Sequence, residues 1–408
     1  MNPLPLCIYE DAAVRGFYPL TELRHVADLL VGQMTLYERA RILYGDRPIA
    51  LIGRHEIEAY LSEEASNPPL DDDGVLLLNG RVLPNAAVRG QLPDGKGWIA
   101  RDGVEVVAAG ISADDLSSIR DENGCLDPNR LIGYRNVDLH GVSIYRRLWD
   151  LLDDNNARIA EDFASLHDAL DPPTFNPPPG VHAVYPEAIL CMEGVTIKPG
   201  VVLDASDGPI ILSNGVTILP NSVLIGPCVI GTNSTIKAGA KIYGGTTIGQ
   251  WCKVGGEVEN SIFIGYGNKQ HDGFVGHSYF GAWVNLGADT NTSDLKNTYG
   301  TIRVTLPEGE FDSGRRFLGT MMGDHSKTGI NTMLNTGTIV GIFANVFGAG
   351  FPPKLIPPFS WGGGEDPEAF ALEKALEIAA TVMGRRNVEL TDADRVLLSD
   401  LHGRYTSR

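Results

Sequence analysis

No apolar run in this 408-residue sequence approaches the roughly 18–20 residues that a membrane span requires, so no membrane partner is expected. The opening Met1-Asn2-Pro3-Leu4 has neither the basic residues nor the apolar core of a secretory leader, and a cytoplasmic protein is expected. Basic charge is scarce. Against 51 Asp and Glu stand 33 Lys and Arg, a net charge of −18, which argues against any broad contact with nucleic acid or an anionic membrane. A phosphate-bearing ligand would have to be held by a few local cations and backbone amides. Cysteine is sparse too: Cys7, Cys125, Cys191, Cys228 and Cys252 are odd in number, scattered and without a C-x-x-C pair, as befits small apolar residues in a reducing compartment.

What the chain does contain divides it in two. Over residues 1–170, apolar runs such as Leu6–Tyr9, Ile49–Gly53 and Val75–Leu78 alternate with helical stretches near Thr21–Tyr44, Glu56–Glu64 and Val142–Phe163, the mark of an α/β sheet buried on both faces. Residues 171–183 include Asp171-Pro172-Pro173 and Pro177-Pro178-Pro179-Gly180, where proline removes donors and enforces extended backbone, so this is a semi-rigid linker.

From 184 to 350 the texture is a repeat. Ile218, Leu224, Ile230, Ile236, Ile242, Ile248 and Val254 fall six apart, with turn formers such as Pro220-Asn221, Gly226-Pro227 and Gly244-Gly245 between them. A period of six is neither that of a helix nor that of an ordinary strand. It fits one short strand per hexad, three hexads per triangular coil, and a stacked aliphatic column inside. The spacing resumes at Phe274, Phe280 and Leu286, and again at Met322, Thr328, Leu334, Val340 and Val346. The stretches between, Gly255–Asp272 and Asp294–Arg316, are expected to loop out of the coil, where binding groups commonly sit. Residues 351–408 combine a Pro/Gly hinge (Trp361-Gly362-Gly363-Gly364) with a helical run over Pro367–Met383, expected to cap the solenoid or pack outside it.

The stretch Gly267-Asn268-Lys269-Gln270-His271 through Asn285-Leu286-Gly287-Ala288 resembles the acetyltransferase half of the bifunctional N-acetylglucosamine-1-phosphate uridyltransferase/glucosamine-1-phosphate acetyltransferases. In that family a catalytic histidine stands fourteen residues before the Asn-[Ile/Leu]-Gly-Ala hexad, and His271 stands fourteen before Asn285. The resemblance implies a left-handed parallel β-helix, a homotrimer, and acetyl-coenzyme A as co-substrate. It makes His271 the general base, a task suited to a side chain whose pKa lies near neutrality. It places Asn285 and Asp294 in the substrate pocket, and Ala288, Ile330 and Gly348 along the coenzyme A slot. Phe274, Asp294 and Ile330 replace a tyrosine, an asparagine and a serine of the family pattern, departures that bear on the acceptor. Lys269, flanking the base, is a candidate phosphate contact. His277 and His325 read as structural, the latter on the coil surface. No metal ligands are assigned, because the histidine pair five apart used by β-helix carbonic anhydrases is missing.

Residues 1–165 resemble, more faintly, a sugar nucleotidyltransferase domain through the opening strand, Pro19-Leu20-Thr21-Glu22-Leu23-Arg24 and Leu77-Leu78-Asn79-Gly80-Arg81. Where active members carry a Gly-rich phosphate loop, this chain has Glu10-Asp11-Ala12-Ala13-Val14-Arg15-Gly16. Where they carry a magnesium-binding aspartate it has Arg81. Magnesium is therefore expected only if this domain is active. Three readings follow: acyl transfer to an amino-sugar phosphate or nucleotide amino sugar, nucleotidyl transfer by the front domain, and a non-catalytic trimer that binds sugar nucleotides.

Overall fold

The computed structural model describes residues 4–45, 47, 49–64 and 74–407. The front domain is a six-stranded mixed sheet ordered Ile49–Ile52, Leu6–Tyr9, Val75–Asn79, Glu105–Ile111, Trp98–Asp102, Arg135–Asp138. The first three strands run parallel and Glu105–Ile111 runs against both its neighbours. One expected helix is much shorter than its sequence suggests. Apart from a short 3-10 turn at Val26–Asp28, Thr21–Tyr44 is helical only over Leu36–Tyr44, because Gly32, at φ 66°, turns Leu30–Val31 back on Met34–Thr35 and Thr35 then caps the helix. The long helix Leu148–Leu170 closes the domain, and the proline-rich segment leads from it to the first β-helix strand, His182–Val184.

The second part is a left-handed parallel β-helix of three faces. On regular coils a residue pairs with its counterpart eighteen positions on, as Thr217 does with Thr235. The inward side chains, Ile218 through Val254, are fully buried, each contributing about 1.5–3 kcal/mol of apolar burial. The ladder runs past Phe351, through Leu355–Ile356 to a last parallel rung at Asn345↔Trp361.

The two expected excursions part ways. Asp294–Arg316 does leave the coil, as a hairpin of Arg303–Leu306 and Gly309–Asp312 whose Val304 and Leu306 pack beside Met321 and Ile339. Gly255–Asp272 does not leave it. Its strands Glu257–Glu259, Ile262–Gly265 and Asn268–Lys269 stay on the ladder, in a tightened coil where Lys253 pairs with Asn268 only fifteen positions on. Tight corners there shorten the coil without breaking it, so the hexad count slips. Val275, not Phe274, points inward, and Lys269 occupies a column position above Val254.

Each face has its own surroundings. The nine-stranded face from Ile189–Cys191 to Leu355–Ile356 is covered by the front domain and its long helix; Tyr279, Ile262 and Met321 cluster with Phe17, Leu20 and Trp149, and Ile211 with Ile159. At one corner Tyr266, Trp283, His325, Phe343 and Phe359 all take left-handed backbone and stack ring on ring. The tail helices Leu372–Gly384 and Asp392–Thr406 pack over this ladder. Of the other two corners, the one between the face bearing Asn268–Lys269 and that bearing Phe274–Gly276 carries the candidate site.

Candidate functional site

His271 sits on the turn at this corner, exposed, and its imidazole has no hydrogen-bond partner among the described residues. Gly273 (φ 115°) lets the turn lie flat on the next rung, since a Cβ there would stand 2.2 Å from Thr290 O. Successive turns of the same corner stack on it: Asp289 N–H donates to Asp272 O (3.1 Å), and Asn331 N–H donates to Ala288 O (2.8 Å). Ala288, Ile330 and Gly348 therefore follow His271 rung by rung, each rise about 4.8 Å, along an edge of roughly 14 Å. Ile330 is three-quarters exposed, and Gly348 has open space where a Cβ would be.

Asn285 lies on the neighbouring face, bridged in register between Asn268 and Lys327, so that Lys253, Asn268, Asn285, Lys327 and Asn345 form one outward ladder. Asn268 Oδ1 is buried without a partner among the described residues. Lys327 Nζ donates to His325 O (2.8 Å), and burial pushes its pKa down to about 8. Neither Asn268 nor Lys327 emerged from the sequence, because the tightened coil and the hairpin make their spacing irregular. Only the pairing register reveals them.

Two expectations, on Lys269 and His325, are corrected. Asp294, expected in the substrate pocket, is on a different corner of this chain from His271. It lies at the far end of the Phe274 face, where its Oδ2 meets His277 Nδ1 at 2.8 Å and the His277 ring stacks on Phe317. Lys269 is not a surface cation awaiting phosphate; it is 1% exposed, with Nζ donating to Gly255 O (3.0 Å) and His271 O (2.8 Å). His325 is not on the coil surface but inside the aromatic ladder, where burial, with Lys327 and Arg24 nearby, drives its pKa well below the ordinary value.

In the front domain, the position expected to hold magnesium is filled by a closed ion-pair network. Buried Arg81 donates to both Asp11 oxygens (2.9 and 2.5 Å) and to Glu105 (2.9 Å), while Asn79 donates to Asp11 (2.8 Å). Glu10, also buried, is held by Arg54 (2.9 and 3.0 Å) and by the Val26 amide (2.9 Å). A guanidinium cannot ligate a cation, and it engages the nearest carboxylates itself. These residues do not fit magnesium.

The fold is thus an α/β domain joined to a β-helix with stacked corner turns and C-terminal helices. Residues 6–169 match the family model described as sugar nucleotidyl transferase, and residues 209–244 match bacterial transferase hexapeptide (six repeats). The chain combines a domain of the first kind with repeats of the second. A bifunctional sugar-1-phosphate nucleotidylyltransferase/acetyltransferase of Sulfurisphaera tokodaii is 32% identical over 91 residues, 22% of this chain and 23% of that protein. The bifunctional protein GlmU of Synechococcus elongatus is 28% identical over 182 residues, 40% of this chain and 36% of GlmU. The chain thus spans about a quarter to a third of the length of these curated relatives. A crystal structure of UDP-N-acetylglucosamine acyltransferase aligns over 55% of this chain and 80% of its own, at 15% identity and a TM-score of 0.26.

Proposed function

We propose that this protein transfers an acyl group, acetyl in the simplest case, from coenzyme A to the amine of an amino-sugar phosphate or nucleotide amino sugar resembling glucosamine 1-phosphate. The observation that carries the reading is the unpartnered, exposed imidazole of His271 in rung-by-rung register with Ala288, Ile330 and Gly348. In this reading an extended thioester arm runs along that edge with its carbonyl beside the ring. The amine nitrogen attacks the thioester carbon while His271 takes its proton. The carbon–sulfur bond of the tetrahedral intermediate then breaks, and the departing thiolate is protonated. Asn285 and corner backbone amides steady the oxyanion. General-base assistance of this kind contributes roughly 10²–10⁴-fold, with alignment of the two substrates supplying more.

A homotrimer belongs to this reading. One face of the prism is occupied by the chain's own front domain, which leaves the His271 corner to meet a second copy. Exposed Ile330, Met333, Phe347 and Phe351 near that corner suit such a groove. The acyl donor and the free thiols fit a cytoplasmic setting. The Arg81 network supports a front domain that no longer turns over nucleotides.

The test is coenzyme A release across amino-sugar phosphates and nucleotide amino sugars, beside a magnesium-dependent pyrophosphate assay, for the wild type and His271→Ala. Thiol release lost in a variant that keeps its trimer supports the reading. Equal release by both proteins removes His271 from the chemistry. Pyrophosphate production without thiol release favours nucleotidyl transfer, and no turnover in either assay favours a binding role.

A further inference from the structure

The β-helix core carries a lysine where its repeat demands an aliphatic residue. On the face that bears it, the inward column reads Ile197, Ile218, Ile236, Val254, Lys269, Leu286, and the pairings Val254↔Lys269 and Asn268↔Asn285 fix Lys269 between two apolar neighbours. It is 1% exposed and forms no ion pair among the described residues; the nearest opposing charges, Asp272 and Asp289, act on it only through their fields. Placing a cation there is unfavourable, and burial lowers its pKa to about 8.

The side chain escapes the column at the His271 corner. Gly256, at φ 69°, opens the way, because a Cβ on it would lie 2.7 Å from Lys269 Nζ and 2.9 Å from His271 O. The ammonium ends between two carbonyls from adjacent rungs, Gly255 O below and His271 O within its own turn. An aliphatic residue would fill the column equally well and leave the turn untied. The lysine's distinctive contribution is thus made to the backbone of the residue whose ring faces solvent.

We propose that Lys269 is a positioning residue: its buried ammonium clamps the carbonyl of His271 to the rung beneath and so fixes the direction in which the imidazole projects from the corner. The inference rests on the acyl-transfer reading of this edge and adds how its base is held. The clamp acts on orientation and not on substrate binding, since Nζ has no surface of its own. Loss of the clamp widens the range of ring positions and lowers the fraction aligned with an attacking amine.

The experiment compares the wild type with Lys269→Met and Lys269→Leu, which keep the column filled. Expected are a ten- to hundredfold fall in kcat, KM within twofold, a melting temperature within a few degrees, and faster amide exchange confined to residues 270–273. A structural role alone lowers melting temperature and leaves the kcat of the folded enzyme intact, which overturns the inference, as does an unchanged kcat. If the wild type itself releases no coenzyme A from any acceptor, the reading of the site fails separately. The clamp is then judged by exchange at residues 270–273, and equal protection in wild type and Lys269→Met overturns it.

Discussion

Removing one oxygen atom should loosen the front domain from the prism. Tyr279 lies on the covered face, fully buried, and its hydroxyl both donates to Leu30 O (2.7 Å) and accepts from Leu30 N–H (2.8 Å). Leu30 is itself buried, so Tyr279→Phe leaves a peptide donor and acceptor without partners at the joint between the two parts. An unsatisfied buried polar group costs about 1–3 kcal/mol; with two such groups, and the hydroxyl's own desolvation relieved, the loss is about 2–4 kcal/mol. The covered face keeps its apolar contacts and the Arg24–Asp324 pair (2.8 Å), so the domain stays docked but opens more readily. With a urea dependence of about 2 kcal/mol per molar, the front domain's midpoint should fall by about 1–2 M. Hydrogen exchange resolved by peptide separates the two parts, as a chain this long need not unfold in one step. Peptides spanning Leu29–Val31 and the long helix should lose protection well before the inner coils. An unchanged front-domain midpoint would refute the reasoning, because it would mean that Leu30 finds other partners at no cost.

Further outcomes follow from the same geometry. Burial pushes the thiols of Cys7, Cys125, Cys228 and Cys252 up to about 12, so a disulfide reagent at pH 8 should label them only on unfolding, and rapid labelling of the native chain would contradict their placement. Lys269, lowered to about 8 by burial, gives a signed pH effect. Below pH 8 both folded and unfolded chains hold its proton and its contribution is flat. From 8 to its ordinary 10.5 the unfolded chain binds the extra proton, so stability rises with pH, by at most about 3 kcal/mol. The buried thiols act in the opposite sense above pH 9, so the lysine is isolated by subtracting the urea stability of Lys269→Met from that of the wild type across pH 7–10. A flat difference would show that the ammonium is not desolvated. Arg81→Met strips Asp11 and Glu105 of their shared cation; since those carboxylates are about a fifth exposed, the loss should be about 2–3 kcal/mol in urea. It should bring no magnesium-dependent pyrophosphate release, and appearance of that activity would mean that the lock alone had silenced the domain.

Sequence spacing alone determined the solenoid. Seven aliphatic residues six apart have no other way to share one interior, and all seven are buried. The period did not single out His271, Ala288, Ile330 or Gly348; the family resemblance supplied them, and the structure sets them on successive turns of one corner. Spacing failed where a coil tightened. Shortened corners between Gly255 and Asn268 preserve the hydrogen-bonded ladder while shifting the count, so residues expected in a loop are strands, Phe274 faces outward, and Lys269 lies in the core. The choice between a surface lysine and a buried one, and the pairing of Asp294 with His277, depend on which residues a rung brings opposite each other. Pairing across rungs joins residues far apart in the chain, and only the tertiary structure fixes that register.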